Sequence, residues 1–193
     1  MRIHFVHTWN RPDRLASIIK EMKEQDHVDY YISQGPQTPG NVLLSISGSH
    51  KTYVKMAYDT GMEEICIAEN DLHLFAPGAL KYFFDHKPNE FDLYLGGVFH
   101  GHIDDKGLIQ DFCGLSLYIV SKRFYRLFLS VKDIDNIDRA LAVNNFNPWI
   151  RSSLKYYVCD PFVCTQHGGW SDSKQHHVES YDHLLQGRRL FGQ

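Results

Sequence analysis

Short β-rich runs alternate with helical patterns along this chain, and that alternation restricts the folds open to it more than any other feature. Residues 3–8 form the first run, and Pro12 then suits the first turn of a helix, where the N–H that proline lacks would have no partner. The apolar residues that follow at helical spacing are Leu15, Ile18, Ile19 and Met22. Alternating strands and helices predict an α/β fold with a mostly parallel sheet and helices on both faces.

The same alternation continues toward the C-terminus. We predict strands over 28–33, 42–46, 64–68, 91–98, 115–120 and 154–159, and helices over 50–60, 124–131 and 137–143 and from Pro77. Ser49 would cap the helix over 50–60, and Gly61 would end it in the left-handed conformation. Because residues from 166 onward are rich in Gly, Ser, His and Asp, we expect one domain over 1–193 with a flexible tail, 166–193, over its site.

The composition is that of an ordinary globular domain and argues against several classes of protein. Hydrophobic residues make up 43% of the 193, yet no apolar run approaches the roughly 20 residues of a membrane span. The first residues do not join a basic region to an apolar core, so a cytoplasmic location is expected. A formal net charge of −3 argues against bulk nucleic acid as the main partner. The four cysteines lack a close pair and are expected to be buried thiols.

The sequence Glu69-Asn70-Asp71 directly follows the apolar run 65–68 and is the sharpest candidate for a functional site. Ligands of parallel sheets bind outside the carboxyl ends of the strands, so a buried strand that ends in carboxylates presents them to a ligand. Mg²⁺ and Mn²⁺ prefer such oxygen ligands together with substrate phosphates. A metal held there would neutralise a nucleoside diphosphate as a leaving group. A helix cap or an acidic turn is the alternative interpretation.

Three basic residues are candidates for contact with the same phosphates. Arg11 and Arg14 follow the first strand, and a guanidinium can pair with phosphate or stack on a base. A solvated first helical turn is the alternative for both. Lys51 lies at the start of the predicted helix over 50–60 and faces the same strand ends, although a surface lysine explains it equally well.

Several short motifs follow one another in an order that a known family shares. They are Asn10-Arg11-Pro12-Asp13-Arg14, Gly48-Ser49-His50 with the helix to Gly61 and the strand to Glu69-Asn70-Asp71, then 113–122, 137–141, 154–166 and Ser171-Asp172. In this order they resemble glycosyltransferase family 25, the lipooligosaccharide and collagen galactosyltransferases. Each motif alone is weak, whereas the shared order covers most of the chain, from Asn10 to Asp172.

The resemblance implies a GT-A-type, Rossmann-like fold and the transfer of a sugar from a nucleoside-diphosphate sugar to a hydroxyl acceptor. A UDP-sugar is the favoured donor, and Mn²⁺ or Mg²⁺ the expected cofactor. By the same resemblance, Asp71 would bind the metal and Glu69 the ribose or the donor sugar. The residues that would line the nucleotide pocket are Thr8, Asn10, Arg11 and Arg14. The chain has Asn70 where the family has its middle acid, and strand alternation predicts that this side chain turns away from its two neighbours.

Asp138 takes the place of another acid of the family, in the motif at 137–141. Transfer to a hydroxyl requires a group that accepts its proton, so Asp138 is the candidate general base. Asp133 and Asp135 compete for this role. An aspartate early in a helix is also favourable without any function, because it complements the helix dipole.

His167 is the candidate second metal ligand, by analogy with metal-dependent GT-A enzymes that complete their site with a C-terminal histidine. It lies in the glycine-rich cluster 166–172, which makes poor core and a good flap. Closure of such a flap over the donor would exclude water and favour transfer over hydrolysis. His176 and His177 are alternatives, as is an exposed histidine without a role.

Two other functions fit parts of the pattern. A nucleotidyltransferase shares the sheet and the metal, but it usually carries a glycine-rich loop after the first strand, where this chain has Thr8-Trp9-Asn10-Arg11-Pro12. The second is a binding module that has lost catalysis, which Asn70 favours because it stands where the family has an acid.

The acceptor would be a glycan, a protein or a modified nucleobase. The basic and aromatic segment 122–126 suits a nucleobase, and it equally suits a solvated helix face.

Overall fold

The computed structural model describes residues 1–7, 11–132, 137–171 and 175–193, with the backbone alone for Asn144. The strands are β1 (Ile3–His7), β2 (Tyr30–Gln34), β3 (Glu64–Glu69), β4 (Leu72–Leu74), β5 (Leu93–Leu95), β6 (His100–Ile103), β7 (Ile109–Cys113), β8 (Leu117–Ser121), β9 (Tyr156–Val158), β10 (Cys164–Gln166), β11 (Gly169–Ser171) and β12 (His176–Val178). The α-helices are α1 (Pro12–Glu24), α2 (Val42–Thr60), α3 (Ala79–Asp85), α4 (Tyr125–Ser130), α5 (Ile137–Leu141) and α6 (Pro148–Arg151). Short 3-10 helices occupy Lys122–Phe124, Val143–Asn145 and Asp182–Leu185.

A six-stranded sheet in the order β2-β1-β3-β8-β5-β9 forms the centre of the molecule. β1 runs parallel to β2 and β3, and β5 runs parallel to β9. Only β8 is antiparallel to its neighbours within this sheet. The fold is therefore α/β with a mostly parallel sheet, as the alternation of elements predicts.

Alternate residues of β3 pack into two hydrophobic cores, one on each face of the sheet. Ile65 and Ile67 share a core with Val54 of α2, whereas Cys66 shares the other with Ile18 of α1. Successive side chains of a strand point to opposite faces, so a strand that is apolar at every position needs cover on both. Helices α2 and α1 supply that cover, and they position the carboxyl end of β3 between them.

The start of α2 departs from the predicted elements. Residues 42–46 are predicted as a strand and Ser49 as the cap of a later helix, but a single helix begins after Asn41. The Asn41 side chain accepts a hydrogen bond from the Leu44 N–H at 3.0 Å. This cap satisfies a first-turn N–H that would otherwise lack a partner, so the apolar run joins the helix. The predicted end is confirmed, because Gly61 has a φ of 72° in the left-handed region.

Helix α1 presents a different face to the sheet from the one that its apolar spacing predicts. Ile18 and Met22 are buried, but Leu15 is 37% exposed and Ile19 is 50% exposed. The stripe of four apolar residues therefore straddles the edge of the buried face instead of forming its centre.

Polar residues share the buried face of α1. Arg14 and Glu21 are buried on the same side of the helix as Ile18, and Gln25, at the C-cap, follows about one turn after Glu21. We call these three residues the polar row. Each member pairs with the segment 71–80: Arg14 with Asp71, Glu21 with His73 and the Leu74 N–H, and Gln25 with the Leu80 N–H and the Ala76 carbonyl. Hydrogen bonds and ion pairs, as well as apolar contacts, thus join α1 to the chain that follows β3.

The segment 166–193 contains more regular structure than its composition predicts. β10 pairs antiparallel with β4, and β11 pairs antiparallel with β12. Strands of three residues form because a partner strand pairs with them, so the amino-acid composition of the segment does not predict them. The flexibility of this segment stays a prediction. Cys66, Cys159 and Cys164 are buried free thiols, as predicted, and Cys113 is partly exposed.

The prediction that no segment spans a membrane concerns the length and hydropathy of the helices. Among the helices in the described part of the chain, none has both the length and the apolar character needed to cross a bilayer.

Candidate functional site

A cavity of about 520 Å³ opens at the carboxyl end of β3. Its lining includes the Glu69-Asn70-Asp71 turn, parts of 37–50, residues 113–115 with Asp138, and side chains from the C-terminal segment. The volume is in the range of sites for small ligands. The position is the one at which α/β sheets bind their ligands, outside the carboxyl ends of the strands.

Asp71 lies in the turn between β3 and β4, and its carboxylate is largely buried. One oxygen, Oδ2, forms an ion pair with the guanidinium of Arg14. The other, Oδ1, is buried and has no hydrogen-bond partner among the residues that the structure describes. A buried carboxylate oxygen is costly unless something compensates its lost hydration. This oxygen fits a cation at the cavity wall.

The carboxylate of Glu69 is held from two sides. Gln166 Nε2 donates to Oε2 at 2.5 Å, and Nε2 of His50 lies 3.4 Å from Oε1. The hydroxyl of Tyr118 lies 2.6 Å from His50 Nδ1. Burial raises the pKa of Tyr118, so the phenol beside His50 keeps its proton. Gln166 and His50 thus flank the Glu69 carboxylate at the cavity.

Asn70 occupies a turn position and not a strand position. β3 ends at Glu69, so the alternation that predicts an Asn70 side chain turned away from its neighbours stops one residue too early. Asn70 lines the cavity together with Glu69 and Asp71. All three residues of the acidic motif therefore contribute to one wall.

The two arginines that are predicted to contact phosphate both donate hydrogen bonds to one backbone carbonyl. Trp170 O accepts a hydrogen bond from Arg14 Nη2 at 3.0 Å and from Arg11 Nη1 at 3.2 Å. Arg11 also forms a two-fold contact with Asp13, and the hydrogen bond from Arg11 lowers the pKa of Asp13 to about 2. Arg14 lines the cavity, whereas Arg11 is not among the described residues that do so. Both arginines tie the start of α1 to β11.

Asp138 of α5 lines the same cavity as the acidic turn. Its Oδ2 accepts a hydrogen bond from the Gly114 N–H at 3.0 Å, and its Oδ1 accepts one from the Arg139 N–H at 2.8 Å. Backbone amides thus hold both oxygens of this carboxylate in place. The structure thus brings Asp138, Arg14 and the acidic turn, which are far apart in sequence, to one cavity.

The other predicted residues either fall outside the described ranges or are absent from the described lining of the cavity. Those outside the described ranges are Thr8, Asn10, Asp133 and Asp135. Lys51 Nζ donates to the Val131 carbonyl at 2.5 Å, and Lys51 is not among the described residues that line the cavity. His176 and His177 belong to β12, and they too are absent from the described lining. Their predicted roles stay predictions.

The backbone of His167 contacts Asp71, but its side chain contacts a different residue. The His167 N–H donates to the Asp71 carbonyl at 2.7 Å. Its imidazole instead places Nε2 at 2.8 Å from Glu21 Oε1. The role of His167 as a metal ligand beside Asp71 therefore stays a prediction, and the structure gives this imidazole a different neighbour.

Glu21 and His73 are residues that sequence reasoning missed. His73 Nδ1 lies 3.0 Å from the same Glu21 oxygen that contacts His167. Burial alone would raise the pKa of Glu21, but hydrogen bonds from His167, His73 and the Leu74 N–H together lower it to about 2. The hydrogen bond to Glu21 raises the pKa of His73. One sequence signal existed, since Glu21 stands three residues after Ile18 and next to Met22, on the side of α1 that those residues bury.

Comparisons with known proteins bear on the fold. No protein-family model matches the chain, and no curated protein matches it. A glycosyltransferase involved in the glycosylation of the major capsid of PBCV-1 is similar, with a TM-score of 0.52 and 11% identity over 83% of this chain and 81% of that one. A Drosophila β-1,4-galactosyltransferase 7 mutant, solved with manganese, UDP-Gal and xylobiose, has a TM-score of 0.54 and 10% identity over 97% and 79%. The inositol-1-phosphate CTP transferase from T. maritima has a TM-score of 0.51 and 12% identity over 97% and 78%.

These neighbours include both glycosyltransferases and a nucleotidyltransferase. At 10–12% identity, the likeness is one of fold and not of activity. The prediction of a GT-A-type fold is thereby confirmed, and these structures do not support glycosyltransferase family 25 in particular. This chain has the GT-A-type, Rossmann-like α/β fold.

Proposed function

We propose that this chain is a glycosyltransferase that moves a sugar from a nucleoside-diphosphate sugar, with a UDP-sugar favoured, to a hydroxyl acceptor. The single observation that carries the proposal is the shared cavity, which contains the Glu69-Asn70-Asp71 turn, Arg14 and Asp138. In this proposal the chain 1–193 acts as one domain, and the segment 166–193 covers the site.

The diphosphate of the donor is assigned to the wall formed by Asp71 and Arg14. The buried Oδ1 of Asp71 suits a hard cation, and Mn²⁺ or Mg²⁺ bound there would neutralise the charge that develops on the leaving diphosphate. Arg14 contacts Asp71 and lines the cavity, which supports a contact between its guanidinium and a phosphate of the donor. Glu69 accepts hydrogen bonds from the ribose or the donor sugar. The nucleotide-binding roles of Thr8, Asn10, Arg11 and Lys51 rest on the sequence alone.

Asp138 is assigned to the acceptor. The acceptor oxygen forms a bond to the anomeric carbon as the bond from that carbon to the diphosphate oxygen breaks. The nucleoside diphosphate leaves with the electron pair of the broken bond, and the carboxylate of Asp138 takes the proton of the acceptor hydroxyl. Two amide hydrogen bonds hold this carboxylate at the cavity, which supports its assignment as the proton acceptor.

Binding and turnover without an acceptor test this function. We expect one nucleoside diphosphate from a panel to bind in the presence of Mn²⁺, measured by calorimetry, and its sugar conjugate to be hydrolysed slowly to free sugar and nucleoside diphosphate. Release of pyrophosphate from a nucleoside triphosphate and a sugar phosphate would instead identify a nucleotidyltransferase. Nucleotide binding without any turnover would identify an inert module.

Asp138→Asn is expected to lower the rate of donor hydrolysis by about 10²- to 10⁴-fold, the usual contribution of general base catalysis. The affinity for the nucleoside diphosphate should stay unchanged, because Asn retains an oxygen acceptor for the Gly114 N–H. Steady-state hydrolysis and calorimetry measure the two quantities. Asp105→Asn, in the exposed turn between β6 and β7, is the matched control. Hydrolysis by Asp138→Asn at the control's rate would remove Asp138 from the chemistry.

A further inference from the structure

A second group of potential metal ligands lies apart from the acidic turn. Glu21 of α1, His73 of β4 and His167 just after β10 form what we call the Glu-His-His cluster. The ligating atoms, one carboxylate oxygen and two imidazole nitrogens, all lie within 4.8 Å of one another. None of the three residues is among the described lining of the cavity. The cluster therefore lies outside the described lining of the donor site.

The carboxylate of the cluster is buried and held in place. The Glu21 side chain is 6% exposed, and the Leu74 N–H donates to its Oε2 at 3.1 Å. This hydrogen bond leaves Oε1 directed at both imidazoles, 3.0 Å from His73 Nδ1 and 2.8 Å from His167 Nε2. A backbone donor on the second oxygen is the kind of outer contact that orients a ligating carboxylate.

The two histidines are positioned by strand pairing. His73 lies opposite Thr165 in the ladder of β4 and β10, and that ladder continues to the pair Leu72 and Gln166. His167 is the next residue, and its N–H bonds to the Asp71 carbonyl. The ladder thus brings two imidazoles from distant parts of the sequence to the same side of Glu21.

We propose that the Glu-His-His cluster binds a transition-metal ion of the Zn²⁺ class, separate from the Mn²⁺ or Mg²⁺ assigned to Asp71. Two imidazoles and one carboxylate are a common zinc donor set, with a water in the fourth position. The separation between ligand atoms in a tetrahedral zinc site is about 3.4 Å, so small outward rotations of the imidazoles suffice. His73 and His167 are 40% and 36% exposed, which gives the ion and its water a route from solvent.

The bound ion would join three parts of the chain that are distant in sequence. It would link α1 to β4 and to the start of the C-terminal segment, which contributes residues to the lining of the cavity. The free energy of metal binding adds to the stability of the folded chain, because the unfolded chain has no such site. His167 then holds this segment in place and does not serve the Asp71 site.

Zinc binding in the absence of nucleotide tests the proposal. The tag-free protein is stripped with a chelator, dialysed against Zn²⁺, and its metal content and melting temperature are measured. We expect one Zn²⁺ per chain and a rise in melting temperature of about 5 °C or more when free Zn²⁺ is 100 times its dissociation constant. Co²⁺ in place of Zn²⁺ should give the intense visible absorption of a tetrahedral site. A wild-type chain that binds no Zn²⁺ would overturn the proposal.

Matched variants identify the ligands and separate this site from the donor site. His73→Gln and Glu21→Gln should weaken Zn²⁺ binding by about 100-fold or more, since loss of a mere outer-shell partner costs 10- to 100-fold. His102→Gln, an exposed histidine of β6, and Asp71→Asn should both retain Zn²⁺. Undiminished binding by folded His73→Gln, or loss of Zn²⁺ in Asp71→Asn, would contradict the assignment. Because nucleotide is absent throughout, failure here leaves the proposed glycosyltransferase function to be judged separately.

Discussion

Asp71→Asn is expected to abolish Mn²⁺-dependent nucleotide binding while the chain still folds. Asparagine replaces an anionic oxygen pair by one neutral oxygen and an amide, so the position loses the charge that attracts a divalent ion. We expect nucleoside diphosphate to bind at least about 100-fold more weakly in the presence of Mn²⁺, the upper end of what indirect disturbance of a metal site causes. Calorimetry with and without Mn²⁺ measures this, and circular dichroism establishes that the variant is folded.

Two companion variants make the Asp71 result specific. Asp105→Asn removes the same charge from an exposed turn and should bind nucleotide as the wild type does. Asn70→Asp restores an acid to a cavity-lining position and should change activity only modestly, since the outer two acids are proposed to act. Undiminished Mn²⁺-dependent binding by folded Asp71→Asn would remove the central claim. A gain of orders of magnitude in Asn70→Asp would show that the middle position holds the metal.

Arg14→Ala is expected to destabilise the metal-free protein by about 3–5 kcal/mol, the usual cost of removing one partner of a buried ion pair. Both side chains are largely buried, at 9% and 16% exposure, so the Asp71 carboxylate would remain without its cation. The Trp170 carbonyl would lose a donor as well. Urea denaturation in the presence of a chelator measures the loss of unfolding free energy.

Mn²⁺ should return part of that stability to Arg14→Ala. The metal and the guanidinium both neutralise the same carboxylate, so the metal should stabilise the variant more than the wild type, in which Arg14 competes with it. Arg14→Lys keeps a cation and should behave closer to the wild type. Lys20→Ala removes an exposed cation from the same helix and should have little effect. Equal stabilisation of Arg14→Ala and wild type by Mn²⁺ would mean that the two cations do not share Asp71.

Much of the fold and part of the site follow from local sequence. A strand such as 65–68 is apolar at every position, which requires cover on both faces and hence an α/β sheet. The acids after it lie at the carboxyl end of the strand, where such sheets bind ligands. The structure places Asp71, Arg14 and Asp138 around one cavity.

The residues that sequence reasoning missed depend on long-range contacts. Glu21 is 52 residues from His73 and 146 from His167, and no local pattern records such a pairing. The error at 42–46 has a different origin, because an apolar run of that length suits a strand and a helix equally. Asn41 decides between them by capping the first turn, and a cap is recognised only after the helix has been recognised.

The polar row of α1 fixes the rotation of that helix about its own axis, and this inverts the expected pattern of mutational tolerance. A turn of about 100°, one residue's step, would bring Leu15 and Ile19 toward the sheet and separate Arg14, Glu21 and Gln25 from their partners. Each buried polar group left unpaired costs about 1–3 kcal/mol, more than the partial burial of two already half-covered side chains returns. Lysine or glutamate at 15 or 19 should therefore be accepted. The polar row on the buried face, which hydropathy would rank as replaceable, contains the residues on which the placement of α1 depends.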